Sequence, residues 1–301
     1  PPFESPAPWH RLYKPIDMPL PHLPADYEAL QTYWNRRQNR YKYRDQGWDN
    51  NLIRTMRAAY AACVSFVDYN AGRIIEYLRA TGEIDNTIIL WTSDHGELLG
   101  DFGCFGKRSI IDPAARVPLI VRWPERFAAG ARCDRVCSHV DVAPTLLRAC
   151  GLDPIDQHEG VDLADLAAGA DPGRPGVLVQ YSQRESGLYG LVTDEFKYVY
   201  SAADDQEWLF RRWPGRLEER SLAENQAYTK TTAEMRKMLV EWFRTDGYEE
   251  VLDGPEEEAV AAARAKVAQA RAQLADLEDN PDPEDRAAAE AKVVQAQAQL
   301  D

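Results

Sequence analysis

The sequence has no apolar run approaching the ~18 residues that a helical membrane span needs, so no such span is expected. It also lacks an excess of basic residues. Lys and Arg number 35 against 49 Asp and Glu, a net charge of -14, which argues against a nucleic-acid phosphate backbone as partner. Cysteines are few: Cys63, Cys104, Cys133, Cys137 and Cys150 form an odd, loosely spaced set with no disulfide framework. Cys133 and Cys137 have no second pair with which to build a zinc site. At most one bridge is left, Cys133–Cys137 or Cys137–Cys150, and Cys63 and Cys150 read better as small buried hydrophobes. The chain starts Pro1-Pro2-Phe3 without a methionine or a signal-like segment and stops inside a helical pattern at Leu300-Asp301. Both ends are therefore expected to be cuts, and no compartment follows from them.

What is present fits a globular α/β protein. At 301 residues, 45% hydrophobic and 28% charged, the chain has enough apolar content for one large domain or two ordinary ones. Residues 1–27 are proline-rich, which rules out helix or central strand and predicts an extended arm over a surface. His10 and His22 in that arm are expected in surface or packing roles. Leu52, Met56, Tyr60, Cys63, Val67, Ile74 and Leu78 recur at three-, four- and seven-residue spacings, predicting a core-facing helix from Asp49 to Thr81, stopped by Gly82 in a left-handed conformation. Asp68, near that stripe, is expected to cap or to hydrogen-bond while buried.

Strands are predicted at 87–92 and 117–122, and a short helix at 138–150 ended by Gly151. Strand, helix, strand, helix is the order of a sheet with helices on its faces, so residues 28–176 are expected to form the main α/β core. Past the turn signals at 171–176 the period changes to two. Short strands at 177–180, 189–192, 197–200 and 208–210, followed by a helix at 231–243, predict a small antiparallel α+β subdomain over 177–250. Residues 255–301 are alanine-rich and free of aromatics. Two copies of an AKV-Q-A-Q-L pattern, separated by Asn280-Pro281-Asp282-Pro283, predict a helical hairpin. Its thin apolar seam would pack on the body or on a second copy of the chain in a homo-oligomer.

The chemistry concentrates where the first strand ends. Ser93-Asp94-His95-Gly96-Glu97 places a carboxylate and an imidazole at a carboxyl end, where open α/β sheets hold ligands and metals. Neighbouring strand residues point to opposite faces, so both can face one site only if the chain bends, which Gly96 is expected to permit through a turn that side-chain-bearing residues disfavour. An oxygen and a nitrogen ligand suit Mg²⁺, Ca²⁺ or Mn²⁺ if further carboxylates complete the shell. A hydrogen-bonded surface loop is the competing reading. Lys107, behind Gly106 and twelve residues past His95, can return an ammonium to the same region. A cation beside a divalent metal makes sense when an anion such as sulfate or phosphate lies between them. Arg108 is expected to serve packing or an ion pair with Asp112.

These motifs together resemble the sulfatase family of the alkaline-phosphatase superfamily. The resemblance is carried by Thr87-Ile-Ile-Leu-Trp-Thr-Ser-Asp-His-Gly-Glu97, Cys104-Phe-Gly-Lys-Arg-Ser109, Ala115-Arg-Val-Pro-Leu-Ile-Val-Arg-Trp-Pro124, Tyr60–Asp68, Val140–Leu147 and Lys197–Tyr200, and it spans about residues 1–250. It implies a sulfatase-like sheet with helices on both faces and hydrolysis of carbohydrate or aryl sulfate esters. Asp94 and His95 would be one pair of ligands to a divalent metal, usually Ca²⁺, and Lys107 the sulfate-binding lysine. Glu97 would support that pair, while Arg116, Pro118, Tyr198 and Phe210 would be structural.

The family's nucleophile, a formylglycine made in a Cys/Ser-x-Pro-x-Arg motif, has no counterpart in these residues, and neither do its first acidic metal pair nor its Pro-His-x-Pro histidine. The chain thus reads as the C-terminal portion of such an enzyme, inactive alone. A phosphonate or phosphodiester hydrolase of the same superfamily, or a non-catalytic fragment assembled through the hairpin, are the alternatives.

Overall fold

The computed structural model describes residues 3–40, 49–153, 159–213, 217–245 and 292–293. The chain divides into two compact units, Pro1–Tyr181 with Leu188–Met235, and Ser182–Gly187 with Arg236–Asp301. Among the described residues no helix is long and apolar enough to cross a membrane. The hairpin expected over 255–301 lies outside the described residues, apart from helical Lys292 and Val293.

In the first unit a short helix, α1 (Tyr33–Gln38), precedes the long helix α2 (Asn50–Thr81). The Asp49 side chain caps α2 by accepting from the Asn51 and Leu52 amides, and Gly82 at φ 76° ends it, a conformation that costs a residue with a Cβ about 1–2 kcal/mol. The expected apolar stripe holds for half the helix. Met56, Tyr60, Cys63 and Leu78 are half-buried, but Leu52, Val67 and Ile74 are exposed, Leu52 by 67%, and the buried Ile53 lies outside the stripe. The helix is covered on a second side instead, where Ala58, Ala62, Ser65, Phe66 and Tyr69 share a face. There the proline-rich arm, folded into single turns at Trp9–Arg11 and Pro15–Asp17, lays Trp9 against Phe66 and Tyr69 and bonds Tyr13 Oη to Ser65 Oγ at 2.7 Å. Small residues admit that close approach, and a search for large apolar side chains does not register them. Asp68 is exposed rather than buried, and so is His10.

β1 (Ile89–Thr92) and β2 (Leu119–Arg122) form an antiparallel pair, with Trp91 opposite Ile120. β2 starts after Pro118, which has no amide to contribute to a ladder. Between the strands lie the site loop and a single turn of helix, α3 (Asp112–Ala115). α4 (Val142–Ala149) follows a turn at His139–Asp141 and stops before Gly151 at φ 71°; α5 (Leu163–Ala167) comes next.

β3 (Val177–Tyr181), β4 (Leu188–Val192), β5 (Phe196–Ser201) and β6 (Gln206–Arg211) are the expected antiparallel meander, in sequential order. Val179, Gly190, Val199 and Trp208 form one cross-strand row. Gly190 leaves the space that Ile110 occupies, since a Cβ there would lie 2.9 Å from Ile110 Cγ2. The main core forms on this face: Leu188, Val199, Trp208 and Phe210 meet Leu98, Phe102, Cys104 and Ile110 from the site loop. The helix α6 (Thr229–Thr245) ends the described segment.

All five cysteines are free thiols, so neither candidate bridge forms. Cys104 is the fully buried one. Cys63 is half-buried and Cys150 exposed, which corrects the reading of Cys150 as a buried hydrophobe.

Candidate functional site

The corner after β1 brings Asp94 and His95 to one point. Asp94 Oδ2 lies 3.1 Å from His95 Nε2, although the residues are neighbours in sequence. The bend is held from several directions. Ser93 Oγ donates to the His95 carbonyl at 2.9 Å, and the Gly96 amide donates to the Ala114 carbonyl of α3 at 2.8 Å. Gly96 is required here for a reason other than a left-handed turn. A Cβ at this position would overlap the Pro113 carbonyl oxygen, so it is the close approach of α3 that demands glycine.

His95 Nδ1 lies 2.7 Å from the Gly96 carbonyl. A carbonyl only accepts, so Nδ1 carries the proton and Nε2 is the bare nitrogen of the neutral ring. The Asp94 side chain is 80% exposed and that of His95 35%. Hydrogen bonding from the His95 backbone, with the Lys107 ammonium adding to it, holds the Asp94 carboxyl below its ordinary range. Tyr60 of α2 faces the same region. Burial first, then the carboxylates of Glu97 and Asp94, push its phenol above its ordinary value.

Lys107 completes the cluster, its Nζ donating to His95 Nε2 at 2.6 Å. The loop that delivers it is anchored at its base and along its length. The Leu98 amide bonds the Gly106 carbonyl at 3.0 Å, and the Glu97 carboxylate accepts from the Gly106 amide. Arg57 of α2 reaches the Leu99 carbonyl at 3.0 Å and the Asp101 carboxylate. Leu99 and Phe102 take positive φ values of 49° and 57°, each costing roughly 1–2 kcal/mol. Burying the Phe102 ring contributes about 1.5–3 kcal/mol, enough to offset its own strain.

A row of amide side chains in and beside α1 then engages the loop carbonyls. Gln31 donates to Phe102 at 2.8 Å, Gln38 to Phe105 at 2.6 Å, Asn39 to Gly103 at 2.9 Å and Asn35 to Arg108 at 3.5 Å. His22 packs edge-on against Phe102, 5.6 Å between ring centroids, as the packing expectation has it. Arg108 makes no ion pair with Asp112. That carboxylate is taken by Lys197 and by Arg116 at 3.5 Å.

The donor set at the corner fits a divalent cation in part. One carboxylate oxygen and one imidazole nitrogen, both lone-pair atoms, converge with the ring's other nitrogen fixed by a backbone carbonyl, the arrangement by which proteins orient a metal-binding histidine. Among the described residues no group of three or more His, Cys, Asp and Glu side chains is placed to hold a metal. Asp94 and His95 thus offer two candidate donor atoms at the corner.

Arg57, the amide row at 31–39 and His139, whose Nε2 lies 2.8 Å from the Ser93 carbonyl, are site neighbours that no motif of the sequence places there. The only available signal was the density of amide residues from Gln31 to Asn39 ahead of a glycine-rich loop.

Residues 21–152 match the Sulfatase family model, and residues 100–245 match that of the N-sulphoglucosamine sulphohydrolase C-terminal region. The chain is 32% identical over 194 residues to an N-acetylglucosamine-6-O-sulfatase of Bacteroides thetaiotaomicron, covering 60% of this chain and 34% of that protein. It is 30% identical over 234 residues to the multifunctional alkaline phosphatase superfamily protein PehA of Trinickia caryophylli, covering 67% and 46% respectively. The solved structure of a phosphonate monoester hydrolase from Silicibacter pomeroyi superposes with a TM-score of 0.71 at 27% identity, covering 82% of this chain and 54% of that one. The chain thus spans a third to a half of the length of these two curated relatives.

Proposed function

Because this chain belongs to the sulfatase family of the alkaline-phosphatase superfamily, we propose that it forms the sulfate-binding half of a sulfuric ester hydrolase acting on carbohydrate or aryl sulfate monoesters. The observation that carries this reading is the contact of Lys107 Nζ with His95 Nε2 at 2.6 Å, beside the Asp94 carboxylate. It sets a cation beside two donor atoms of the kind that suit a divalent metal, a pairing that suits the tetrahedral, negatively charged sulfate group of a monoester once the lysine turns from the histidine to it.

In this reading Asp94 and His95 hold a divalent metal, with Ca²⁺ first and Mg²⁺ or Mn²⁺ as substitutes. When bound, that ion would supply Lewis-acid stabilisation of the sulfuryl oxygens and activate the attacking hydroxyl. Lys107 transfers its hydrogen bond from His95 to a sulfuryl oxygen and neutralises charge as the S–O bond to the alcohol breaks. Glu97 and the amide row keep the lysine backbone fixed while its exposed side chain moves. The formylglycine nucleophile and the acid for the departing alcohol are assigned to polypeptide outside residues 1–301, since no Cys/Ser-x-Pro-x-Arg motif occurs within them.

A phosphonate monoester hydrolase is the second reading, favoured by the superposition on the Silicibacter pomeroyi enzyme. The test uses the full-length protein with an aryl sulfate and an aryl phosphonate monoester. The sulfate is expected to give the higher kcat/KM, and a reversed preference selects the second reading. Lys107→Ala should lower kcat/KM by about 10²–10³-fold, the usual cost of removing one charge-stabilising donor, and Asp94→Asn should lower bound metal. Near-normal turnover in the lysine variant together with unchanged metal content would overturn both readings.

A further inference from the structure

One motif of the chain, Ser138-His139-Val140-Asp141-Val142-Ala143-Pro144-Thr145, has no part in the chemistry above, yet it ends beside the site. His139 Nε2 lies 2.8 Å from the Ser93 carbonyl. The carbonyl accepts, so the ring donates. That oxygen belongs to the peptide unit joining Ser93 to Asp94, so the bond restrains the backbone from which the Asp94 carboxylate projects.

The turn that carries His139 is itself fixed. Asp141 is fully buried, and its carboxylate accepts from the Ser138 amide at 2.8 Å, the Val161 amide at 2.8 Å and Arg174 Nη2 at 2.7 Å. Thr145 Oγ1 donates to the Asp141 carbonyl at 2.6 Å and accepts from the Leu163 amide at 2.9 Å. A charged carboxylate with three donors and no exposure is an expensive arrangement unless every bond is made, and here it locks both ends of the His139–Asp141 turn. His139 itself is exposed, so its burial contributes little to stability. A rigid mount carrying an exposed ring whose donor meets one backbone carbonyl is a positioning device.

We propose that His139 is a positioning residue for the Asp94–His95 corner, acting through the Ser93 carbonyl, with Asp141 as its mount. The metal-affinity part of this proposal rests on reading Asp94 and His95 as ligands; the backbone part does not.

The test compares His139→Leu and His139→Gln in the full-length protein. Gln keeps a donor of similar reach and Leu has none. Mn²⁺ affinity is read by the electron paramagnetic resonance of the free ion, and order at the corner by amide hydrogen exchange of Asp94 to Glu97. His139→Leu is expected to weaken Mn²⁺ binding by about tenfold, the usual loss when an outer-shell partner is removed, and to speed exchange at the corner by a similar factor. His139→Gln should recover both to within about threefold. Melting temperature should change by no more than about 1–2 °C in either variant, as for an exposed side chain.

Unchanged corner exchange in His139→Leu overturns the proposal, and so does a glutamine variant as impaired as the leucine one. If the wild-type protein binds no Mn²⁺, the ligand reading of Asp94 and His95 fails. The exchange comparison then decides the role of His139 without it.

Discussion

Replacing Lys197 by methionine should be among the most damaging single changes in the first unit. Lys197 sits on β5 with only 4% of its side chain exposed, and its ammonium contacts the Asp112 carboxylate, Glu218 Oε1 at 2.5 Å and the Ile110 carbonyl at 3.1 Å. Glu218 also accepts from the Asp112 amide at the start of α3. Burial pushes the Asp112 carboxyl upward, but the Lys197 ammonium more than reverses this, and the group ends below its ordinary range. At Glu218 burial wins over the attraction of Lys197, the Asp112 charge adds to it, and the carboxyl ends above its ordinary range.

Asp112 therefore contributes stability that is present above its unfolded pKa and lost as pH falls through its depressed folded value. Glu218 contributes stability that is present below its unfolded pKa and lost as pH rises through its elevated folded value. Without the ammonium the more distant Arg116 is left to oppose burial at Asp112, so both carboxyls shift upward and both favour acid. The variant should be about 3–5 kcal/mol less stable at pH 8, the cost of leaving a buried charge without its partner. Near pH 4, where the carboxyls can share protons, the deficit should shrink to about 1–2 kcal/mol, that of a lost hydrogen bond. Urea unfolding followed by tryptophan fluorescence at the two pH values measures this. A deficit under about 1 kcal/mol at pH 8, or one of equal size at both pH values, refutes the argument. The loss should also reach the site, because α3 supplies the carbonyl that holds Gly96.

Gly96→Ala should lower stability by roughly 1–3 kcal/mol through overlap with the Pro113 carbonyl and loss of the Gly96–Ala114 bond. Thermal unfolding reports it, and an unshifted melting temperature would show that α3 can withdraw freely. Cys104 is buried, and desolvation pushes its thiol up to about 12. At pH 8 only about one part in 10⁴ is thiolate, so iodoacetamide should modify exposed Cys133 and Cys150 in the folded chain and leave Cys104 until denaturant is added. Mass-mapped labelling of Cys104 at the rate of Cys133 would contradict its placement in the core.

What the sequence made legible is what local chemistry decides. The ends of α2 follow from Asp49 and Gly82, because an Asx cap and a left-handed glycine act within four residues of themselves. The meander follows from a period of two interrupted by turn residues. The convergence of Asp94 and His95 was expected from a strand ending at a glycine, although the physical cause lies in α3, sixteen or more residues away. The stripe on α2 misled at Leu52, Val67 and Ile74 because apolar spacing identifies a face without saying what covers it. The amide row was out of reach for a related reason. Gln31, Asn35, Gln38 and Asn39 donate to backbone carbonyls 64 to 73 residues away, and a carbonyl has no letter in the sequence.

The division between fixed and mobile parts of the cluster bears on its function. The backbones at Asp94 and Lys107 are held by groups from α1, α2, α3 and the His139 turn, while the carboxylate and ammonium tips stay exposed. A site built only for structural ion pairing would gain nothing from holding two backbones so firmly and leaving the charges in water, where such a pair contributes about 0–1 kcal/mol. Binding of a small anion, as proposed above, would be favoured by this arrangement. The entropy of placing the charges is removed in folding, and in the proposed reading the exposed lysine leaves histidine for the ligand. The loop also holds two non-glycine residues, Leu99 and Phe102, at positive φ. Their strain is offset by Leu98, Phe102, Cys104 and Ile110 in the core, so the site's order derives from apolar burial next to it and not from the attraction between its own charges.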